Sequence, residues 1–230
     1  MKKFVLGLFV VSMCVLIASC TSKKVKEQEK EQATERYQIT YSAKSPNPKV
    51  GKSVLILSAS PRRGGNTDLL CDEFARGAKD AQGVVEKIFL EDYRIDTFRE
   101  IDTYMQPDSV AKALARDDAK LIIDKMLTAD VIVLASPVYY LNINGQLKNL
   151  IDRTFYCFMR LKDKEFYYIT ASADREPYAA DCAIEGFRGF VRCLPGPTER
   201  GMIKATGMGR KGGVKGSAYM QEAYNLGKTI

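Results

Sequence analysis

The stretch SVLILSASPRRGGNTD, Ser53 to Asp68, decides how this chain is read. Its first half, Val54-Leu55-Ile56-Leu57, is an unbroken apolar run between small residues. That is the pattern of a strand buried on both faces in a parallel sheet. The second half is a small polar loop carrying Ser58, Ser60, Arg62, Arg63 and Gly64-Gly65. From Asp68 onward Leu69, Leu70, Phe74 and Ala78 recur at helical spacing, with Asn66 or Thr67 placed to cap the helix. Strand, donor-rich loop and helix start thus follow one another. Such a loop gathers backbone N–H groups, the Ser58, Ser60 and Thr67 hydroxyls, a guanidinium and the positive end of a helix dipole. A phosphate monoester needs that set. The competing reading is a plain polar turn, but the donors crowd where a sheet's carboxyl edge binds ligands.

Outward from this stretch, apolar runs recur at Val84 to Leu90, Val131 to Ala135, Phe166 to Thr170 and, more weakly, Met202 to Thr206. Helical patterns separate them. Leu121, Ile122, Met126 and Leu127 share neighbouring faces; Ile143, Leu147, Leu150 and Ile151 form one stripe, and Ala183, Phe187, Phe190, Val191 and Leu194 another. The alternation predicts an α/β fold with a doubly wound parallel five-stranded sheet, order 2-1-3-4-5. The crossover from Asp92 to Arg116 is too irregular for a single helix. In such a sheet the ligand sits between the first and third strands. The third strand runs into Ser136-Pro137-Val138-Tyr139-Tyr140-Leu141-Asn142-Ile143-Asn144-Gly145, a loop with two rings that could flank a flat heterocycle, followed by a helix capped by Asn142 or Asn144. Read alone, these are half-buried core aromatics and ordinary caps; beside the first loop they read as the other half of a site.

Together the two loops resemble the flavodoxin-like FMN reductase superfamily, in particular its NAD(P)H-dependent FMN reductase and iron–sulfur flavoprotein branch. SASPRRGGNT (Ser58 to Thr67), ADVIVLASPVYY (Ala129 to Tyr140) and GQLKNLIDR (Gly145 to Arg153) carry the resemblance. It implies bound FMN, with the phosphate at Ser58, Ser60, Arg62, Asn66 and Thr67. It also implies an isoalloxazine edge held by Pro137, Val138, Tyr139, Tyr140 and Asn142, with Ser172 in a third loop after the fourth strand. NAD(P)H is the donor so implied, a small-molecule acceptor the partner, and a homodimer the assembly. The crossover segment DYRIDTFREIDTYMQPDSV contains no cysteine, so no iron–sulfur cluster is expected there, unlike in iron–sulfur flavoproteins.

The N-terminus reads as an address. Met1-Lys2-Lys3 precedes an uncharged, mostly apolar run from Phe4 to Ala18, short for a membrane span and ending Ile17-Ala18-Ser19-Cys20. This resembles a bacterial lipoprotein signal, with Cys20 lipidated and residues 1–19 removed; an ordinary signal peptide with a chance cysteine is the alternative. Residues 20–49 are charged and poor in large apolar side chains, a solvated tether with a reach of roughly 30 Å. The domain is then 50–230, held at the bacterial cell envelope by lipid. Export would separate it from cytoplasmic NAD(P)H and leaves a protein or quinone donor open.

Composition excludes several chemistries. The 230 residues contain no histidine, which removes Ser-His and Cys-His catalysis and His-ligated zinc. The net charge of +7 is spread among interleaved acids, so nucleic acid is not an expected partner. Six cysteines contain no Cys-x-x-Cys pair, and no metal site is expected. Cys182 and Cys193, if on one helix, would lie roughly 16 Å apart, too far for a disulfide. Cys71 and Cys157 read as core thiols, and Asp152-Arg153 as a local ion pair. Gly207-Met208-Gly209-Arg210-Lys211-Gly212 fits G-x-G-x-x-G, but the chain ends before a dinucleotide unit could follow, so it reads as a basic connection to the last helix. The function expected is a lipid-anchored FMN oxidoreductase acting on a quinone, azo or nitro acceptor. The alternatives are a flavin-binding electron-transfer module and a scaffold that has lost FMN.

Overall fold

The computed structural model describes residues 51–103 and 107–230. The expected signal, Cys20 and the tether lie outside them. Five strands form one parallel sheet ordered β2-β1-β3-β4-β5: β1 Ser53–Ser58, β2 Val84–Phe89, β3 Val131–Pro137, β4 Glu165–Ala171 and β5 Thr198–Ala205. The helices are α1 Asn66–Asp80, α2 Pro107–Leu114, α3 Ala119–Thr128, α4 Gly145–Arg153, α5 Pro177–Val191 and α6 Ala218–Gly227. The sheet order is the one expected.

Period-two alternation along the central strands divides the core. Leu55, Leu57, Ile132, Leu134, Phe166 and Tyr168 pack with α3, α4 and α5 on one face. Val54, Ile56, Val131, Val133, Tyr167 and Ile169 pack with α1 and α6 on the other. Burial on both faces explains why β1 and β3 read as unbroken apolar runs; each such Val, Leu or Ile contributes about 1.5–3 kcal/mol.

The crossover from β2 to α3 breaks into two 3₁₀ turns, Leu90–Asp92 and Glu100–Thr103, and the short α2. Its anchor corrects the expected Asp152–Arg153 pair. Asp152 pairs with Lys148 one helical turn back, at 2.7 Å. Arg153 instead turns inward, 2 % exposed. It meets Asp117 in a short contact, lies 3.4 Å from Asp102 and donates at 2.6 Å to the Ala113 carbonyl. Arg116 pairs with Asp102 at 2.9 Å. An ion cluster therefore ties the crossover to α4.

On the opposite face α1 and α6 meet backbone to backbone. A Cβ on Gly77 would lie 2.0 Å from the Tyr224 carbonyl oxygen, and one on Gly227 would lie 2.1 Å from that of Phe74. Only glycine fits at either crossing point.

Candidate functional site

Register places Ser58, the last residue of β1, beside Ala135 of β3. The chain leaves β1 for β2 on one side and reaches β3 on the other, so this edge is the switch point where the loops diverge. The β1–α1 loop is tightly built. The Ser60 hydroxyl donates to the Arg62 carbonyl and accepts from the Arg62 N–H, at 3.0 and 3.2 Å. Gly65 N–H donates to the Arg62 carbonyl at 2.8 Å. Gly64 takes φ +65°, and a Cβ on Gly65 would lie 2.7 Å from Arg62 O and 2.8 Å from Ser60 Oγ. The paired glycines are therefore a steric requirement of the turn.

The helix N-cap is Gly65, not Asn66 or Thr67 as expected, and no side chain caps α1. The first-turn N–H groups of Asn66, Thr67 and Asp68 have no carbonyl of their own helix to meet. Arg62 is exposed, and its guanidinium has no partner among the described residues. Arg63 does: it pairs with Asp92 and lies 4.4 Å over the Phe89 ring. The hydrogen bond and charge of Asp92 hold its pKa above the usual arginine value.

Besides the Ser60 hydroxyl, two more expected contacts are engaged within the fold. The buried Ser58 hydroxyl donates to Asp68 Oδ1 at 3.2 Å, while Asp68 Oδ2 accepts from Gly64 N–H at 2.8 Å. The Asn66 amide donates to the carbonyls of Met208 and Arg210, at 2.6 and 2.8 Å, and accepts from Val214 N–H at 3.1 Å. What Asn66 keeps for a ligand is its backbone N–H. Sequence reading missed Asp68, which shapes the loop from beneath, and Lys87, which neutralises it at 2.6 Å. Burial pulls the Lys87 pKa down, but hydrogen bonds to Asp68 and Asp72 outweigh it and leave it raised.

After β3, the Ser136 hydroxyl accepts from Asn144 N–H at 2.7 Å, and Asn144, rather than Asn142, caps α4 through Gln146 N–H at 2.7 Å. Tyr139 and Asn142 exchange two backbone hydrogen bonds, each 2.9 Å. The hairpin tip is Tyr140-Leu141 with φ of 49° and 61°. Two consecutive non-glycine residues in this region store strain. The turn leaves Tyr139 41 % exposed and Tyr140 fully exposed. Pro137 is buried at the strand end, and Val138 N–H donates to Ala171 O at 3.0 Å. Ser172 is buried; its Oγ accepts from Asp174 N–H at 3.1 Å, and its carbonyl accepts from Met208 N–H at 2.7 Å. The loops after β1, β3, β4 and β5 thus share one edge.

An apolar cavity of about 610 Å³, lined among others by Phe98, Phe155, Phe158 and Phe190, lies along α4 and α5 and contains none of these residues. Cys71 and Cys157 are core thiols, pushed up by burial to about 12 and about 11. No metal-binding group occurs among the described residues.

Fold and loops define an α/β protein with a glycine-built loop and an uncapped helix N-terminus at the sheet's switch point. The chain belongs to the NADPH-dependent FMN reductase family, whose pattern it matches over residues 53–183. It is 33 % identical over 134 residues to an iron-sulfur flavoprotein of Archaeoglobus fulgidus, covering 57 % of this chain and 64 % of that one. The match thus spans somewhat less than two thirds of that relative. Among solved structures, an azoreductase from Bacillus anthracis superposes with TM-score 0.59 at 17 % identity, over 78 % of this chain and 100 % of that one. An NAD(P)H:quinone oxidoreductase from Methanothermobacter marburgensis gives TM-score 0.55 at 16 % identity, over 78 % and 96 %. These two likenesses concern the fold.

Proposed function

We propose that this chain is an FMN-dependent oxidoreductase that uses NAD(P)H, or a protein or quinone donor where NAD(P)H is absent, to reduce a quinone-, azo- or nitro-type acceptor. One observation carries the reading: an uncapped helix N-terminus and an unpartnered Arg62 sit at the switch point beside two exposed tyrosines. The residues fit the cofactor. Gly64 and Gly65 let the backbone close on a phosphate, the first turn of α1 supplies N–H donors, and Arg62 supplies charge. Thr67 completes the cradle, while the Ser60 hydroxyl, engaged with Arg62, braces it together with Ser58 and Asn66. Pro137, Val138, Tyr139, Tyr140, Asn142 and Ser172 border the adjoining space for a flat ring, with Tyr139 and Tyr140 as its aromatic walls. Bound FMN would supply the redox chemistry. The protein's part is to fix and shield it, a task that needs no histidine base.

The family resemblance favours a homodimer, which sedimentation of the purified chain tests, and the N-terminal signal favours a lipid anchor at Cys20. Titration of the full chain with FMN, followed by fluorescence, tests the site itself. Arg62→Ala removes one charge-assisted phosphate contact worth about 1.5–3 kcal/mol. Affinity should therefore fall by at least tenfold. Saturable wild-type binding that Arg62→Ala leaves untouched would refute the cradle. Reduction of menadione or an azo dye by the loaded chain separates an enzyme from an electron carrier, and failure to bind FMN at all would leave the scaffold reading.

A further inference from the structure

The glycine-rich loop between β5 and α6 is bolted to the start of α1. Asn66 holds it at three points, through the carbonyls of Met208 and Arg210 and the N–H of Val214. Gly207 N–H and Met208 N–H tie its other end to the Asp174 and Ser172 carbonyls, at 2.6 and 2.7 Å. Left-handed glycines at 207 and 212, with φ of 71° and 73°, let the chain fold back on the β1–α1 loop. At the turn, Lys211 Cε lies 3.8 Å from where a Cβ on Gly64 would sit, and the Lys211 ammonium is one bond beyond. Lys211 is exposed and has no acidic partner among the described residues. By contrast, Lys87 and Arg63 are neutralised by Asp68 and Asp72 and by Asp92.

We infer that Lys211 is a second cation on the phosphate of the bound flavin, delivered beside Gly64 by the β5–α6 loop, with Asn66 as the residue that positions that loop. The inference rests on the FMN reading and adds to it. The buried Asp68 carboxylate lies directly beneath the loop, already bonded to Gly64 N–H and to Lys87. A dianionic phosphate at this loop therefore gains from a second cation besides Arg62, and Lys211 is the basic side chain whose end reaches Gly64.

The measurement is the dissociation constant of the full chain for FMN and for riboflavin, which differ only in the phosphate. Wild type should prefer FMN, and inorganic phosphate should compete with FMN but not with riboflavin. Lys211→Ala should shrink that preference by about tenfold with riboflavin affinity unchanged. Lys211→Glu should shrink it further, Lys211→Arg should restore most of it, and the salt dependence of FMN binding should weaken in Lys211→Ala. A preference that falls in Arg62→Ala but not in Lys211→Ala or Lys211→Glu overturns the role of Lys211 and leaves the FMN site standing. Equal wild-type affinity for the two flavins, or binding of neither, overturns the cradle and the inference with it. Lys211 is on the surface, so unchanged far-UV circular dichroism is expected of all three variants.

Discussion

At the scale of single residues, partners decide what a side chain is for, and the nearest in sequence is often not the partner. Arg153 has Asp152 beside it, yet it reaches Asp117 and Asp102 across the crossover. Arg153→Met strips the buried Asp117 carboxylate of its close cation, while Asp102 keeps Arg116, and should cost about 3–5 kcal/mol in urea unfolding. Adding Asp117→Asn should recover part of that loss; a single variant as stable as wild type would show the cluster to be dispensable. Glu165, at the start of β4, is a milder case. Burial tends to raise its pKa, but hydrogen bonds from Arg200 and Lys52 outweigh burial and hold it below the usual glutamate range. With the folded pKa below the unfolded one, the contribution is present above about pH 4.3 and is lost as pH falls through the folded value. The partners are half exposed, so it is only roughly 0.2–1 kcal/mol. Wild type and Glu165→Gln should therefore differ in urea midpoint at pH 7 and converge as pH falls below the folded pKa. A gap that persists in acid would point to packing instead. Asn66 shows the limit of local reading. Its place before a helix matches a cap signature, yet Gly65 takes that position and the amide reaches a loop far along the chain.

At the scale of elements, the strands were legible because their burial is written in composition. β1, β3 and β4 are apolar runs; the edge strand β5 was read only from Met202 because Thr198-Glu199-Arg200 face solvent. Likewise α5 starts at Pro177, ahead of its apolar stripe, since proline suits a first helical turn. The α1–α6 crossing left no periodic signal, because glycine marks it by what is missing. Gly77→Ala would drive a methyl into the Tyr224 carbonyl, so α6 must move away. Overpacking of this kind typically costs about 1–3 kcal/mol, and here it should loosen α6 first. Amide exchange over Ala218–Gly227 should accelerate more than over β3. Uniform acceleration would mean that α6 unfolds only with the whole domain.

At the scale of the whole molecule, the proposed redox partner depends on where the domain works, which the expected lipid signal in residues 1–49, rather than the sheet, would decide. The cradle and its exposed tyrosines lie at the sheet's carboxyl edge, whereas β1 is entered from the other edge, at Ser53. If Cys20 carries lipid, Cys20→Ala should move the protein from the membrane fraction to the soluble fraction after cell lysis, with FMN affinity unchanged. Wild-type protein already soluble, or mass spectrometry of its N-terminus showing no acyl chain, would refute the anchor and restore cytoplasmic NAD(P)H as the natural donor. With the anchor confirmed, the same membranes provide the next comparison. Reduced quinone should reduce the bound flavin in the absence of NAD(P)H, and a flavin that NAD(P)H alone can reduce would place the working enzyme on the cytoplasmic side.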